Sequence, residues 1–141
     1  MRLIASKYTE NDFPYILRLT QNEIGAYFSR RIYDQEVRHK IKINQTYMIY
    51  NGTERIGFVS FRPRNDFLYI DSLALDPAMQ NKGISGKIFK WLQKKVQENN
   101  LNGLTLHVYK TNKQAIRAYH KNGFSIVGEV PSHYAMKKTI K

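Results

Sequence analysis

The stretch Gln80-Asn81-Lys82-Gly83-Ile84-Ser85-Gly86-Lys87 follows the hydrophobic run Phe67 to Leu75 and opens a long amphipathic segment. Two glycines and a small serine stand where extended patterning gives way to helical patterning. Such a turn leaves several backbone N–H groups unpaired and pointing the same way, with the positive end of the helix dipole behind them. The chemistry this serves is anion binding, and a phosphate or pyrophosphate fits best. Lys82 and Lys87 flank the turn and add charge of matching sign.

Elements on both sides must hold that turn in place. Arg2 to Lys7 reads as a first strand. Phe13, Ile16, Leu17 and Leu19 give an apolar helical face, with Glu10-Asn11-Asp12 as capping residues and Pro14 in the first turn. A second helix is expected over Asp34 to Ile43, while Asn22 to Tyr33 has no clear period. Thr46 to Tyr50 and Arg55 to Phe61 flank Asn51-Gly52 as a hairpin. Arg62 to Asp66 makes the next turn, Phe67 to Leu75 the following strand, and Asp76-Pro77 ends it.

Ile84, Ile88, Trp91, Leu92 and Val96 then recur at helical spacing, with Lys87, Lys90, Lys94 and Lys95 on the other side. Leu104 to Tyr109 is a strand. Asn112 caps a helix carrying Ala115, Ile116, Ala118 and Tyr119, closed by Asn122-Gly123. Phe124 to Val130 and His133 to Lys138 are the last strands. The order is β-α-α-β-β-β-α-β-α-β-β. It predicts an α/β (α+β) fold: a mixed, mostly antiparallel sheet of about six or seven strands flanked by four helices. The glycine turn falls at the carboxyl end of a central strand, where open α/β sheets bind ligands.

Composition bounds the function. A chain of 141 residues fits one domain spanning residues 1–141. It has no apolar run long enough to span a bilayer and no secretory leader, so cytoplasmic residence is the expectation. With no cysteine there is neither a disulfide framework nor a thiolate nucleophile. His39, His120 and His133 lack metal-ligand spacing, so no metal site is expected. The net charge of +12 is unevenly spread: residues 1–76 carry 11 Lys/Arg against 9 Asp/Glu, residues 77–141 carry 12 against 2. A strongly anionic cofactor bound by the second half explains that asymmetry, and so does a nucleic-acid surface.

Two motifs at their proper separation resemble the GNAT-type N-acetyltransferases. One is a strand, then Gln/Arg-x-x-Gly-x-Gly/Ala, then a helix, present here as Leu73-Ala74-Leu75-Asp76-Pro77 followed by Gln80-Asn81-Lys82-Gly83-Ile84-Ser85. The other, Asn-x-x-Ala-x-x-x-Tyr-x-x-x-Gly-Phe, runs from Asn112 to Phe124 through Ala115, Tyr119 and Gly123. With the element order, the resemblance covers nearly the whole chain.

The resemblance implies transfer of an acetyl group from acetyl-coenzyme A to a primary amine. It implies that the amides of the Asn81 to Gly86 segment, with Gln80, Ile84 and Ser85 in the motif, hold the coenzyme A pyrophosphate. Lys82, Lys87 and Lys113 supply charge to the phosphates. The strand end at Leu73, Ala74 and Leu75 pairs with the pantetheine amides, and Asn112 contacts the pantetheine arm. Tyr119 approaches the sulfur as general acid on the leaving thiolate.

Two departures stand out. Ser85 occupies a Gly/Ala position and is less tolerant of positive φ. The family's frequent strand glutamate is missing. Asp71 is the only carboxylate within Phe67 to Leu75, His107 on the next strand is an alternative base, and action through water stays open. Tyr27, Phe28 and Tyr33 line an acceptor pocket or pack in the core. The acceptor is a small-molecule or peptide amine, and a homodimer fits the family. Two competing readings are an acyl-CoA-binding protein without turnover and a basic nucleic-acid-binding domain with tyrosines for stacking.

Overall fold

The computed structural model describes residues 1–28 and 30–141. The expected element order is the observed one, and seven strands are hydrogen-bonded in the order β1-β2-β3-β4-β5-β7-β6. Along the chain they are β1 (Leu3–Lys7), β2 (Gln45–Asn51), β3 (Glu54–Arg64), β4 (Phe67–Leu75), β5 (Gly103–Tyr109), β6 (Ser125–Glu129) and β7 (His133–Thr139). The helices are α1 (Phe13–Leu19), α2 (Asp34–Ile43), α3 (Ile84–Glu98) and α4 (Lys113–Lys121). The fold is therefore mixed α/β, with a mostly antiparallel sheet. Its contacts divide into two units, residues 1–62 with 71–80 and residues 63–70 with 81–141.

In the first unit, β1 and β2 run antiparallel from Leu3↔Asn51 to Lys7↔Tyr47, and β2 returns on β3 across Gly52-Thr53. Gly52 takes φ +61 there, a left-handed conformation that favours glycine. The apolar stripes of α1 (Phe13, Ile16, Leu19) and α2 (Val37) are buried with Met48, Phe58 and Ala74. Between these helices, where the sequence shows no period, Thr20–Ile24 forms a π-helical turn and Gly25–Tyr27 a 3-10 turn. Both depart from the 3.6-residue repeat that periodicity detects. Ser29, in the same stretch, lies outside the described residues.

One boundary differs from expectation. Strand β3 runs on to Arg64, so Asn65 and Asp66 alone make the turn, at φ 51 and 66. Two successive left-handed residues form the tight hairpin turn that matches strand twist, and asparagine and aspartate tolerate that conformation.

In the second unit, Ile84, Ile88, Phe89, Leu92 and Val96 of α3 are buried, and α3 packs on β5 through the Leu104, Leu106 and Val108 side of the strand. Strand β5 has two neighbours. It runs parallel to β4 at Leu68↔Leu104, Tyr69↔Thr105 and Ile70↔Leu106, and antiparallel to β7 from Gly103↔Thr139 to Tyr109↔His133. Strand β7 thus lies between β5 and β6, an arrangement that element order alone left open. Gly103 sits where β5 meets β7, and a Cβ added there would overlap the Lys138 carbonyl oxygen and crowd Thr139. Gly103→Ala is therefore expected to lower stability by about 2–3 kcal/mol, read as a fall in the urea midpoint at unchanged slope.

Candidate functional site

The turn after β4 is built from backbone. Pro77–Met79 forms a single 3-10 turn, Asn81 takes φ 62, and Gly83 takes φ 75 as the N-cap of α3. No side chain caps this helix. Its first-turn N–H groups lack the internal acceptor that a Ser, Thr or Asp cap would provide. A Cβ at Gly83 would meet nothing within 4 Å, so the space beside this residue is open. Lys82 and Lys87 are exposed beside it. Ser85 and Gly86 lie within α3 and are not among the positive-φ residues, so serine at that position carries no backbone strain.

The second motif is organised around the same unit. Asn112 caps α4, its Oδ1 accepting the Ala115 N–H at 3.2 Å. Lys113, exposed, opens α4, and Gln114 donates Nε2–H to Asn81 Oδ1 at 3.3 Å. Tyr119 is half-buried, its ring 5.8 Å from both Phe89 and Phe124. Desolvation among these rings pushes its hydroxyl up to about 12, so it stays protonated through the neutral range.

The parallel ladder between β4 and β5 is three residues long and ends at Ile70↔Leu106. His107 is the first residue of β5 beyond it, exposed, on the face opposite Leu104 and Leu106. Its Nδ1 is 3.0 Å from the Tyr69 hydroxyl, the guanidinium of Arg64 lies 4.9 Å from the Tyr69 ring centre, and His133 meets His107 edge-on at 5.2 Å. Of this group, sequence reasoning singled out neither Tyr69 nor Arg64. Tyr69 and His107 are 38 positions apart, and only the β4–β5 register brings them together.

The first unit holds the other sequence-derived residues. Asp71 is engaged on both oxygens: Lys40 Nζ lies 3.2 Å from Oδ1, while Asn44 Nδ2–H and an Arg62 guanidinium N–H reach Oδ2 at 2.9 and 2.8 Å. Burial pushes this carboxyl up, but the Asn44, Lys40 and Arg62 contacts outweigh it and hold the group below the usual carboxylate range. Those contacts occupy the lone pairs that an incoming amine proton would need. Ala74 and Leu75 are buried and Leu73 half-buried at the end of β4. Gln80 bridges outward from that end, donating Nε2–H to the Leu75 carbonyl at 3.1 Å and to Glu23 Oε1 at 2.8 Å. Phe28 packs against the unit's core, Tyr27 is half-buried, and Tyr33 is exposed at the start of α2 with the Arg31 guanidinium 5.8 Å from its ring centre.

The Acetyltransferase (GNAT) family model matches residues 12–124, and the chain belongs to this family. Solved structures share the fold. PaiA N-acetyltransferase from Thermoplasma acidophilum, in complex with coenzyme A, is 15% identical with TM-score 0.79, over 99% of this chain and 100% of that one. Ard1 from Thermoplasma volcanium is 17% identical with TM-score 0.81, over 100% and 99%. Spermidine N-acetyltransferase from Vibrio cholerae, with CoA and spermine, is 17% identical with TM-score 0.77, over 97% and 95%. Among the described residues no helix is long and apolar enough to cross a membrane, and no group of three or more His, Cys, Asp or Glu is placed to hold a metal.

Asp71→Asn is expected to cost about 1–3 kcal/mol at neutral pH, because it removes the charge that Arg62 and Lys40 share. The folded-state pKa lies below the unfolded one. The stabilisation is therefore present above the unfolded value and lost as pH falls through the folded value. Urea titrations of wild type and variant should differ most at neutral pH and converge in acid.

Proposed function

We propose that this protein is an acetyl-CoA-dependent N-acetyltransferase acting on a primary amine by direct attack. The observation that carries the reading is the uncapped turn at Gly83, with open space beside that residue, on the same unit as the Asn112-to-Phe124 motif. The amides from Asn81 to Gly86, with Lys82, Lys87 and Lys113, bind the pyrophosphate and phosphate groups. The strand end Leu73–Leu75 and Asn112 hold the pantetheine arm by main-chain and amide hydrogen bonds. Acetyl-CoA supplies the thioester whose C–S bond breaks as the C–N bond forms.

His107 is the base. In the tautomer that donates Nδ1–H to the Tyr69 oxygen, Nε2 is the basic nitrogen of the ring and the atom that would receive the amine proton. Tyr69 is a positioning residue that fixes the ring. Tyr119 donates its hydroxyl proton toward the departing sulfur. A hydroxyl raised to about 12 is always a donor at neutral pH, yet it is a weak acid. Transfer to a thiolate of ordinary pKa near 8.5 is uphill by roughly 4–5 kcal/mol. Tyr119 thus stabilises the developing thiolate by hydrogen bonding and keeps its own proton, while the proton that His107 takes from the amine passes to solvent. Asp71 serves instead to anchor β4 against α2 and β3. The acceptor is a small-molecule or peptide amine, and the working compartment is the cytoplasm.

Thermal melts test the cofactor assignment. Acetyl-CoA and CoA at millimolar concentration should raise the melting temperature of wild type but not of Gly83→Glu, whose side chain blocks and repels the pyrophosphate; no rise in wild type sinks the assignment. Stabilisation without thiol release across an amine panel would leave a binding protein without turnover. For the chemistry, His107→Gln is expected to lower kcat by about 10²–10³-fold and to remove the acid limb of the pH–rate profile. Tyr119→Phe should lower kcat while the acetyl-CoA-induced melting shift persists. Unchanged turnover in either variant removes that residue's role.

A further inference from the structure

The phosphates of a coenzyme match less than half of the net positive charge on the second unit. That unit carries 13 Lys and Arg against three carboxylates, Asp66, Glu98 and Glu129. A pyrophosphate and a phosphomonoester together bear about four negative charges, which leaves an excess of about six.

Much of that excess lies on two neighbouring helices. The Phe89 ring of α3 and the Tyr119 ring of α4 are 5.8 Å apart, and a Cβ at Gly86 would come within 3.0 Å of Asn122 Oδ1. On α3, Lys87, Lys90 and Lys94 are exposed opposite the buried row Ile84, Ile88, Leu92 and Val96. The exposed residues of α4 are Lys113, Gln114, Arg117, His120 and Lys121, and the remaining four are half-buried. Within each helix the Lys and Arg fall three or four positions apart, so they climb one stripe in steps of about 4.5–6 Å.

None of these six cations forms an ion pair among the described residues. Glu98, at the end of α3, is the sole carboxylate in either helix, and Glu129 is taken by Lys110 at 2.8 Å. Like charges at this spacing repel and weaken a helix. Acidic residues between them would relieve that cost within the free protein; here an anionic partner does so.

We infer that the outer faces of α3 and α4 form a docking surface for the phosphate backbone of a nucleic acid. A row of fixed cations is matched by a row of regularly spaced anions, and contacts to phosphate require no base sequence. A lipid surface fits less well. Helices that lie on membranes present large apolar side chains, whereas none of the exposed large hydrophobic residues is on α3 or α4. Lys87 and Lys113 sit at the helix starts and belong also to the coenzyme; Lys90, Lys94, Arg117 and Lys121 are left for the second ligand. The inference goes beyond the acetyltransferase reading and does not need it, because without a coenzyme the unmatched charge is larger.

Fluorescence anisotropy tests it, with a labelled DNA duplex of about 20 base pairs and a labelled RNA hairpin, in about 0.05–0.3 M KCl. Wild type should bind at least one probe, with log K falling against log salt at a slope of about −4. Lys90→Gln/Lys94→Gln/Arg117→Gln should reduce the size of that slope by about two to three and weaken binding about tenfold or more. Arg2→Gln/Lys7→Gln/Lys42→Gln removes the same charge from exposed positions of the first unit and should leave the slope intact. The acetyl-CoA-induced melting shift should persist in both variants, since none of these six residues is assigned to the coenzyme.

No binding to either probe overturns the inference. So do equal losses in the two variants, which would show bulk charge at work instead of a surface. Binding to phosphatidylserine vesicles with none to nucleic acid overturns it as well. The ratio of the two affinities tells DNA from RNA. A wild type that binds nucleic acid through α3 and α4 but shows no melting shift overturns the cofactor assignment alone.

Discussion

Strand β4 keeps β5 as a parallel neighbour for only three residues, and much of the site follows from where that pairing stops. Backbone N–H and C=O groups demand partners, and a ladder that ends early leaves the next groups to be met in other ways. At the end of β4, Gln80 Nε2–H reaches the Leu75 carbonyl, and on the β3 side the Ile56 carbonyl accepts the Asp76 N–H at 2.9 Å. On β5 the antiparallel pairing with β7 carries on to Tyr109↔His133, three residues past the last pair with β4. His107 stands one residue past the last β4–β5 pair, Ile70↔Leu106.

Around Asp71, ion pairs and hydrogen bonds join elements that apolar packing alone does not. Asp71 draws together α2 through Lys40, the following Asn44, and β3 through Arg62. Its lowered pKa records that arrangement, since burial alone would have raised it. Tyr119 shows the opposite balance. Its neighbours are aromatic rings with no charge to offer, so desolvation acts unopposed and the proton is held. Two titratable groups on one small fold are thus driven in opposite directions by their surroundings: one kept ionised and structural, the other kept neutral and able to donate.

Much of the fold was legible because its signals are local. Helix α2 and strand β4 begin and end where periodicity placed them, and Asn112 caps α4 as its residue type suggests. The segment from Asn22 to Tyr33 was not legible, because a π-helical turn followed by a 3-10 turn satisfies no single repeat. The β3–β4 turn was misjudged by length, since Asn65 and Asp66 adopt left-handed conformations that let two residues do the work of five. At the glycine motif the sequence raised a concern over Ser85 that the structure removes: the left-handed positions are Asn81 and Gly83, both before the helix starts.

By itself the sequence determined the family, the element order and the glycine turn that opens α3. Each of these depends on residue types within one stretch of chain, where backbone conformation follows from neighbours close in sequence. Tertiary structure decided which titratable groups are engaged and with what. Asp71 and His107 read alike as candidate bases on adjacent strands, but helix α2 and strand β3 bring a lysine, an asparagine and an arginine onto the first. Strand register brings a tyrosine hydroxyl to the second. Those encounters join residues 9 to 38 positions apart. A proton's affinity for a group is set by the charges and solvent around it, and these are known only once the chain has folded.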